Sequence, residues 1–591
     1  MHTFFKLKLQ GKVNVAIQVT KSKLTATKFY SNSNEHLCNI KPNYTLAFIF
    51  IFTDRFEKAE IRKTKVRIKA FKQKMAVAKS GSRVHTLIDY ASTYTPYVER
   101  LTPIQKFYHG QSIFITGGTG FIGKLLIEKL LRGCPSVSCI YVLIRTKKEK
   151  NVLQRMEEIV EDSLFSTLRK EQPQFEKRLI AIEGDCSLPN LGISITDRAI
   201  LIREVSIIFH VAATVKFNEK MKLAADINVR SLKDAIYLSK KMPKLKSFVH
   251  VSTAYANCLQ NPIEEKFYDP PMDADKFIDL MDSIDEKLLD DITPQLLGIW
   301  PNTYVYTKSV AENVVKKHAD LIPIGIFRPG IVIPTYREPI CGWINNMYGL
   351  VGVTAGGAMG LIRTNHCDGS MKVSVVPGDL TTNALIVSAW DIANNRRSNE
   401  EIPIYNYVSK DNPITYEELK DMSAKYMLSV PTNEAIWYYS FRNTKYRPIH
   451  LFYTCFLHLL PAFIIDTIAL CMIKQPRLLK IYNKIYKTSN ILCYFTTTEW
   501  DFTNKRWNEL TRKLTTEDRE LFFCDMKDLV WDSYFQTYFL GIRIFILKDP
   551  ILTLPEAHVK WRRLYWMHQA LKLIIACVLL IITRAMFCRL L

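Results

Sequence analysis

From Ser112 the chain reads Ser-Ile-Phe-Ile-Thr116, then Gly117-Gly-Thr-Gly120-Phe-Ile-Gly123, then Lys124-Leu-Leu-Ile-Glu-Lys-Leu-Leu131. No other stretch constrains the fold as tightly. The first segment has the composition of a buried strand, and the apolar residues of the last recur at helical spacing. Three glycines at spacing three between a strand and a helix describe a tight turn. Main-chain amides there can approach an anion at the helix N-terminus, as in the cradle of a dinucleotide pyrophosphate. Gly117, Gly120 and Gly123, with Phe121 and Ile122 between them, are the first candidate cofactor-binding residues.

Further apolar runs follow at a strand-and-helix rhythm, which implies a doubly wound parallel sheet of the Rossmann type. Cys139-Ile-Tyr-Val-Leu-Ile144 leads into Arg145-Thr-Lys147-Lys148, with no acidic residue at its end. A fold of this kind that prefers NADH places Asp or Glu there, about 20 residues beyond the glycines, to accept from the ribose hydroxyl, whereas cations suit a 2′-phosphate. The expected cofactor is therefore NADPH, with Arg145 among its contacts. Leu179–Glu183 leads into Gly184-Asp185, Ile207–His210 into Val211-Ala212-Ala213, and Phe248–Val251 into Ser252-Thr253. Ligands bind such sheets at the carboxyl ends of the strands. Asp185 is thus a candidate adenine contact, and Ala212 and Ala213 leave room for the cofactor.

The candidate chemistry rests on Thr253, Tyr304 and Lys308. A tyrosine at its ordinary pKa near ~10 shuttles protons poorly at neutral pH, but a lysine one helical turn along places a cation beside it and favours the phenolate. Tyr304 would then give a proton to a carbonyl oxygen as hydride arrives. Thr253, or its neighbour Ser252, would hydrogen-bond that oxygen and stabilise its developing charge. Lys308 also counts among the expected cofactor contacts.

These residues carry a family resemblance. The strings IFITGGTGFIGKLLIEKLLR, HVAATVKF, INVRSLKDA, FVHVSTAYAN, PNTYVYTKSVAEN, FRPGIVIPTYREPICGWINN and VVPGDLTTNALIVSAW resemble an extended short-chain dehydrogenase/reductase. More narrowly, they resemble the fatty acyl-CoA reductases, or male-sterility proteins. FLHLLPAFIIDTIA, QPRLLKIY and WDSYFQTYFLGIRIFILKDP resemble that family's C-terminal region, so the likeness runs from about Pro103 almost to the end. It implies reduction of a long-chain acyl-CoA thioester to a primary alcohol at the expense of two NADPH, through an aldehyde that normally stays bound. No cysteine nucleophile is needed, and Cys258 reads as a small core residue. Asn228 matches a position that helps hold the site. Ser231 stands where glycine is common, and Gly378 where a bulkier residue is usual. Three alternatives stay open at this point: release at the aldehyde, another extended short-chain reductase acting on a sugar nucleotide or sterol, and a silent membrane-tethered NADPH-binding scaffold.

At 591 residues the chain exceeds one ordinary core. The expected organisation is a basic leader at 1–102, disordered or a gene-model extension with Met75 as a plausible start, and a cofactor-binding reductase at 103–330. A substrate-binding extension at 331–440, a mainly helical male-sterility-type region at 441–560 and a hydrophobic anchor at 561–591 follow. Ile449–Ile473 is long enough to span a bilayer but contains His450, His458, Pro461 and Asp466, and an aspartate at a bilayer centre is costly. A buried or monotopic helical hairpin is the expectation there. Leu573–Ile582, flanked by Lys560, Arg562 and Arg563 before and Arg584 and Arg589 after, reads as a C-terminal membrane anchor. Its preceding basic residues would keep the catalytic part cytosolic.

The net charge of +23 does not point to nucleic acid. Residues 1–75 hold sixteen Lys/Arg against four Asp/Glu, about half of the excess, and have neither a phosphate cradle nor zinc spacing; their apolar patch, Tyr44–Phe52, is too short to span. The thirteen cysteines form no CxxC pair, which fits reduced thiols and no metal site. The expected partners are a long-chain acyl-CoA and membrane lipid. Arg589-Leu-Leu591 is not the Ser-Lys-Leu peroxisomal address, so the endoplasmic reticulum is expected over the peroxisome. The sequence leaves the oligomeric state open.

Overall fold

Near-continuous apolar runs form strands where both faces of a sheet are covered, and most of the expected strands are of that kind. A computed structural model describes the backbone of residues 4–9, 13–20 and 23–29, and residues 101–590 apart from 148, 320–321, 395–400 and 473–474, with residues 588–590 as backbone only. The chain divides into two units, residues 1–95 and 96–591.

In the first unit β1 (Phe4–Leu9), β2 (Val13–Thr20) and β3 (Lys23–Phe29) form an antiparallel meander. The charge-based reading of the leader gives this segment no regular element. Its strand signal is the period-two alternation of Val13, Val15, Ile17 and Val19 with Asn14, Ala16, Gln18 and Thr20. The Tyr44–Phe52 patch and Met75 lie outside the described residues.

The second unit is built on β4 (Ser112–Thr116), β5 (Cys139–Ile144), β6 (Leu179–Glu183), β7 (Ile207–His210), β8 (Ser247–Val251) and β9 (Ile324–Pro329). Short strands follow: β10 (Ile331–Ile333), β11 (Thr364–His366), β12 (Lys372–Val373) and β13 (Val375–Pro377), then β14 (Ile404–Tyr407), β15 (Ile414–Thr415) and β16 (Arg442–Thr444). Seven of these make one parallel sheet in the order β14-β9-β8-β7-β4-β5-β6, and the rest pair two by two. Strand order reverses direction between β4 and β7, the place where an open α/β sheet leaves a crevice at its carboxyl edge. The doubly wound expectation holds.

The helices that matter for the site are α1 (Phe121–Gly133), α2 (Thr303–His318) and α3 (Gly378–Asn394). Successive side chains of a strand point to opposite faces. Ile113 and Ile115 accordingly join a core with Leu126 and Leu130 of α1 and Leu380 and Ala384 of α3, while Phe114 joins a second core with Val310 and Val314 of α2. Residues 331–440, expected as a substrate-binding extension, supply α3 and β14 to these same layers. The C-terminal region also enters the first core, through Trp531, Tyr534 and Tyr538 of a later helix; the Tyr534 hydroxyl donates to the Pro334 carbonyl at 2.9 Å. The sequence boundaries at 330 and 440 therefore mark stretches of chain within one unit.

Beyond β16 run α4 (Arg447–Thr454), a π-helical turn at Cys455–Leu459, α5 (Leu460–Cys471), α6 (Leu478–Thr496), α7 (Trp531–Gly541) and α8 (Leu554–Leu590). His450, Thr454, His458, Ala462 and Asp466 recur every four residues and are the buried stripe of α4 and α5. Phe452, Phe456, Phe463, Ile464 and Ile468 are exposed. The polar residues that weigh against a bilayer span thus face the protein: Arg363 N–H donates to His458 Nε2 at 2.9 Å, and His450 Nδ1 lies 3.2 Å from Thr364 Oγ1. Asp466 accepts from the main-chain amides of Arg477, Leu478 and Leu479 at 2.9–3.1 Å and so caps α6, which packs back on α5 as a helical hairpin. The hairpin is not buried; its apolar face is outward. In α8, Trp561 and Leu564 pack against Ala435, and the side chains from Leu573 to Phe587 are exposed. Among the described residues, Arg447–Cys471 and Ile551–Phe587 are the two helical stretches long and apolar enough to cross a membrane.

Candidate active site

The glycine turn is held by backbone approaches that only glycine permits. Gly117 has φ +73°, and a Cβ there would lie 2.7 Å from the Ala212 nitrogen. The turn after β4 is therefore pressed on the loop after β7, across the switch point of the sheet. A Cβ on Gly123 would lie 2.2 Å from the Gly117 carbonyl oxygen. Gly120 is the N-cap of α1, and no side chain caps that helix. The first amides of α1, from Phe121, Ile122 and Gly123, are thus left for a ligand, with the helix dipole behind them. The cradle fits a dinucleotide pyrophosphate.

The Phe121 ring is packed within the protein, on Trp343 and over Gly378. The ring stacks on Trp343 with centroids 5.4 Å apart, and a Cβ on Gly378 would meet it at 2.7 Å. That explains the glycine at 378: the space of a bulkier side chain is filled by Phe121. Ile122 is partly buried against the first core. Ala212 N–H donates to Thr116 Oγ1 at 3.2 Å, which ties the Ala212-Ala213 segment to the end of β4. Thr116 Oγ1 also meets His210 Nδ1 at 3.1 Å, and Ser231 Oγ meets His210 Nε2 at 3.3 Å. The serine at 231 thus has a buried partner that glycine would lack.

At the end of β5, Arg145 is half exposed and its guanidinium lies 3.4 Å from Asp185 Oδ2. The other oxygen of Asp185 accepts from Ser187 N and Oγ, both at 2.9 Å. Asp185, expected beside the adenine, is engaged with these groups of the chain. Arg155 donates to the Arg145 carbonyl at 2.5 Å, adding a cation that sequence reasoning missed. Arg145 and Arg155 meet here, and Lys147 follows two residues along the chain; Lys148 lies outside the described residues.

Tyr304, Lys308 and Glu312 follow one another at single turns along α2, so they share a face of the helix. Asn302 caps the helix by accepting from Val305 N–H at 3.1 Å. Burial pushes the Tyr304 phenol up to about 12, with neighbouring Thr253 opposing that shift. Lys308 is buried, donates to the Val251 carbonyl at 2.8 Å, and is brought down to about 8 by burial, with Glu312 opposing that shift. This corrects one expectation. Lys308 does not draw Tyr304 toward phenolate, because its ammonium is turned to the end of β8 and burial governs the phenol. Tyr304 is held as a neutral acid, the form that can donate.

Of the neighbouring hydroxyls Ser252 and Thr253, Ser252 is the one engaged by Glu312. Ser252 Oγ donates to Glu312 Oε1 at 2.6 Å, away from Tyr304. Glu312 also accepts from Asn257 at 3.1 Å and from Arg328 at 2.8 and 2.6 Å. Arg328 in turn donates to the carbonyls of Glu264 and Lys266 at 2.9 and 3.0 Å. This buried network fixes the turn that carries Thr253, and sequence reasoning missed both Glu312 and Arg328. The four-residue spacing after Lys308 and an arginine inside a buried strand were the available signals. Asn228 sits in a π-helical turn, Asp226–Arg230; it accepts from Thr214 N–H at 3.0 Å and donates to Thr307 Oγ1 at 2.9 Å, joining the loop after β7 to α2.

The wall beside Tyr304 comes largely from the C-terminal region. Phe217 stacks on Tyr304 at 5.7 Å, Phe495 lies 5.7 Å from Phe217, and Tyr255 meets Phe495, Trp500 and Phe502 edge-on at 5.5–5.8 Å. Tyr494 and Trp500 both donate to the Cys258 carbonyl. The Cys258 thiol is buried and pushed up to about 12 by desolvation, which suits packing and not nucleophilic attack. The arrangement joins a dinucleotide cradle, a neutral acid with a hydroxyl beside it, and an apolar aromatic wall.

Gly117→Ala should weaken nucleotide binding by about tenfold or more, since a strained φ costs about 1–3 kcal/mol and about 1.4 kcal/mol is tenfold. Gly110, with φ +68° and nothing within 4 Å of its would-be Cβ, is the control. Gly110→Ala should cost stability without touching affinity. NADPH titration by fluorescence, beside thermal unfolding, distinguishes the two; equal affinities in both variants would sink the cradle.

A family model described as male sterility protein matches residues 115–385, and a second of the same description matches 457–549. The fatty acyl-CoA reductase wat of Drosophila melanogaster is 43% identical over 470 residues, covering 79% of this chain and 90% of the relative. Human fatty acyl-CoA reductase 1 is 35% identical over 458 residues, covering 77% and 88%. Among solved structures, the reductase domain of a nonribosomal peptide synthetase from Mycobacterium tuberculosis superposes with a TM-score of 0.50 at 18% identity, over 74% of this chain and 92% of that one. That last likeness is one of fold.

Proposed function

The chain belongs to the fatty acyl-CoA reductase family, and from that premise we propose that it reduces a long-chain acyl-CoA to the primary alcohol, consuming two NADPH and releasing CoA. The observation that carries the reading is the burial of Tyr304 beside Thr253 and the aromatic wall, in the same folded unit as a cradle for the nucleotide. A nicotinamide held by the cradle would supply hydride for the carbonyl carbon. Tyr304 gives its proton to the carbonyl oxygen, and Thr253 donates a hydrogen bond to the same oxygen. Lys308 keeps positive charge one turn behind the phenol below about pH 8. In the first round the hydroxyl proton returns to Tyr304 as the carbonyl re-forms, the carbon–sulfur bond breaks and CoA leaves as its thiolate; in the second the aldehyde oxygen takes that proton as hydride arrives and the alcohol is formed. The preference for NADPH is supported by Arg145, Lys147 and Arg155 and by the want of a carboxylate at the end of β5.

Membrane lipid is the other proposed partner. It is supported by the outward apolar faces of α5 and α8, with the catalytic part on the cytosolic side of a bilayer, the endoplasmic reticulum by expectation. The test is oxidation of NADPH by membranes carrying the protein, over a series of acyl-CoA chain lengths, with products resolved by gas chromatography. Alcohol at two NADPH per acyl-CoA is the expected result. Aldehyde at one NADPH would reduce the reaction to a single step, and equal rates with NADH would overturn the cofactor assignment.

A further inference from the structure

Where α8 leaves the folded unit, a concavity of about 470 Å³ opens between it and residues 438–442. Arg442 and Lys572 line it, with Tyr438, Tyr439, Ser440 and His568 between them, and no carboxylate lines it. Both cations are exposed, and among the described residues neither has an ion-pair partner. Their neighbours are aromatic. The Arg442 guanidinium sits 4.6 Å over the Tyr453 ring of α4, and Arg363 sits 5.2 Å over Trp437, whose indole N–H donates to His568 Nδ1 at 3.1 Å.

Two features give this concavity a direction. From Leu573 the side chains of α8 are apolar and exposed through Ile582, so its far side faces the surroundings that stretch requires. Arg442 also ties it to α4, which continues into the outward apolar face of the hairpin. Tyrosine and tryptophan collect where headgroups meet acyl chains, and exposed Trp566 and half-exposed Tyr565 lie at this level of α8. A cationic, hydroxyl-bearing cup beside an apolar helix is complementary to a phosphodiester whose own chains are apolar.

We propose that this concavity is a headgroup site for an anionic phospholipid, its phosphate held by Arg442 and Lys572 and its acyl chains lying along the exposed face of α8. The inference rests on the reading of α8 as membrane-embedded. It goes beyond general attraction of basic residues to anionic bilayers by naming the residues that bind.

The test uses the full chain in detergent micelles, with dihexanoyl phosphatidylserine, dihexanoyl phosphatidylcholine and inorganic phosphate as separate probes, read by thermophoresis. Phosphatidylserine should bind about tenfold or more tightly than phosphatidylcholine. Arg442→Gln with Lys572→Gln should shrink that preference to within about twofold, while Arg562→Gln with Arg563→Gln, exposed cations of the same helix outside the cup, should leave it intact. Equal binding of the two lipids by the unmodified chain overturns the proposal, as does equal loss in both double variants. Inorganic phosphate displacing the lipid at equal concentration would make the site one for free anions and overturn the lipid assignment. Flotation with neutral phosphatidylcholine vesicles separates the two readings. If the unmodified chain and the Arg442/Lys572 variant both float, the anchor stands whatever the micelle experiment returns; if neither floats, the anchor reading fails on its own.

Discussion

Tyr304→Phe is expected to lower kcat by about 10²–10⁴-fold, the range of a lost general acid, while NADPH affinity stays within about twofold. The phenol is raised by burial beside Thr253, so its removal takes away the proton without opening the cradle. A pH experiment sharpens the point. Lys308 is lowered to about 8, chiefly by burial, so its charge disappears as pH rises through that value, and activity should fall as the cation proposed to contact the nucleotide is lost. Stability should move the other way. Between about pH 8 and the ordinary lysine value the unfolded chain holds a proton that the folded chain has released, so this residue's contribution to stability grows with pH. Lys308→Met removes both slopes. The measurement is the difference between the unmodified chain and Lys308→Met in kcat and in thermal unfolding across pH 7–10; parallel slopes of the same sign would rule the assignment out.

Arg328→Met is expected to destabilise the fold by about 3–5 kcal/mol, because it leaves the Glu312 carboxylate buried without its cation. A buried ion pair is weak evidence of net stability, since desolvation opposes the attraction, but removing one partner strands the other. The double variant Glu312→Gln with Arg328→Met should therefore recover part of the loss. Activity reports something different. Ser252 and Asn257 both lean on Glu312, so the double variant should lose kcat with little change in KM for the acyl-CoA, as the turn carrying Thr253 loosens. Chemical unfolding of the three proteins, beside steady-state kinetics, checks both statements. A cost below about 1 kcal/mol for Arg328→Met would show that the network does not hold the turn.

The parts of this molecule that could be read from the sequence are those whose physics is local. The strand, turn and helix around Gly117 specify themselves within about twenty residues, and the helix that carries Tyr304 and Lys308 sets their spacing without help. Quantities that depend on burial could not be read. The effect of Lys308 on Tyr304 is expected from spacing alone, yet burial governs both groups and points the ammonium elsewhere. Asp466 is similar: in an apolar run it reads as a cost, and in the structure it caps the next helix. Contacts between distant stretches were invisible as well. Neither Arg328 at Glu312 nor Phe495 near Tyr304 has a signal that a single sequence can pair.

The loop behind Thr253 has a bearing on how the protein is made. The Ile263 amide donates to the Asp501 carbonyl at 2.8 Å, the Thr503 amide donates to Ile263 at 3.0 Å, and Trp500 reaches the Cys258 carbonyl from 242 residues away. A ribosome adding roughly 5–20 residues per second needs roughly 12–48 s to cover that interval. Until it has done so, the nascent chain carries a complete nucleotide cradle and an incomplete floor, with the aromatic side of Tyr255 uncovered. The long apolar helix from Leu554 is synthesised only after this stretch, so the floor of the site and the exposed apolar face of that helix are completed close together in the life of each molecule.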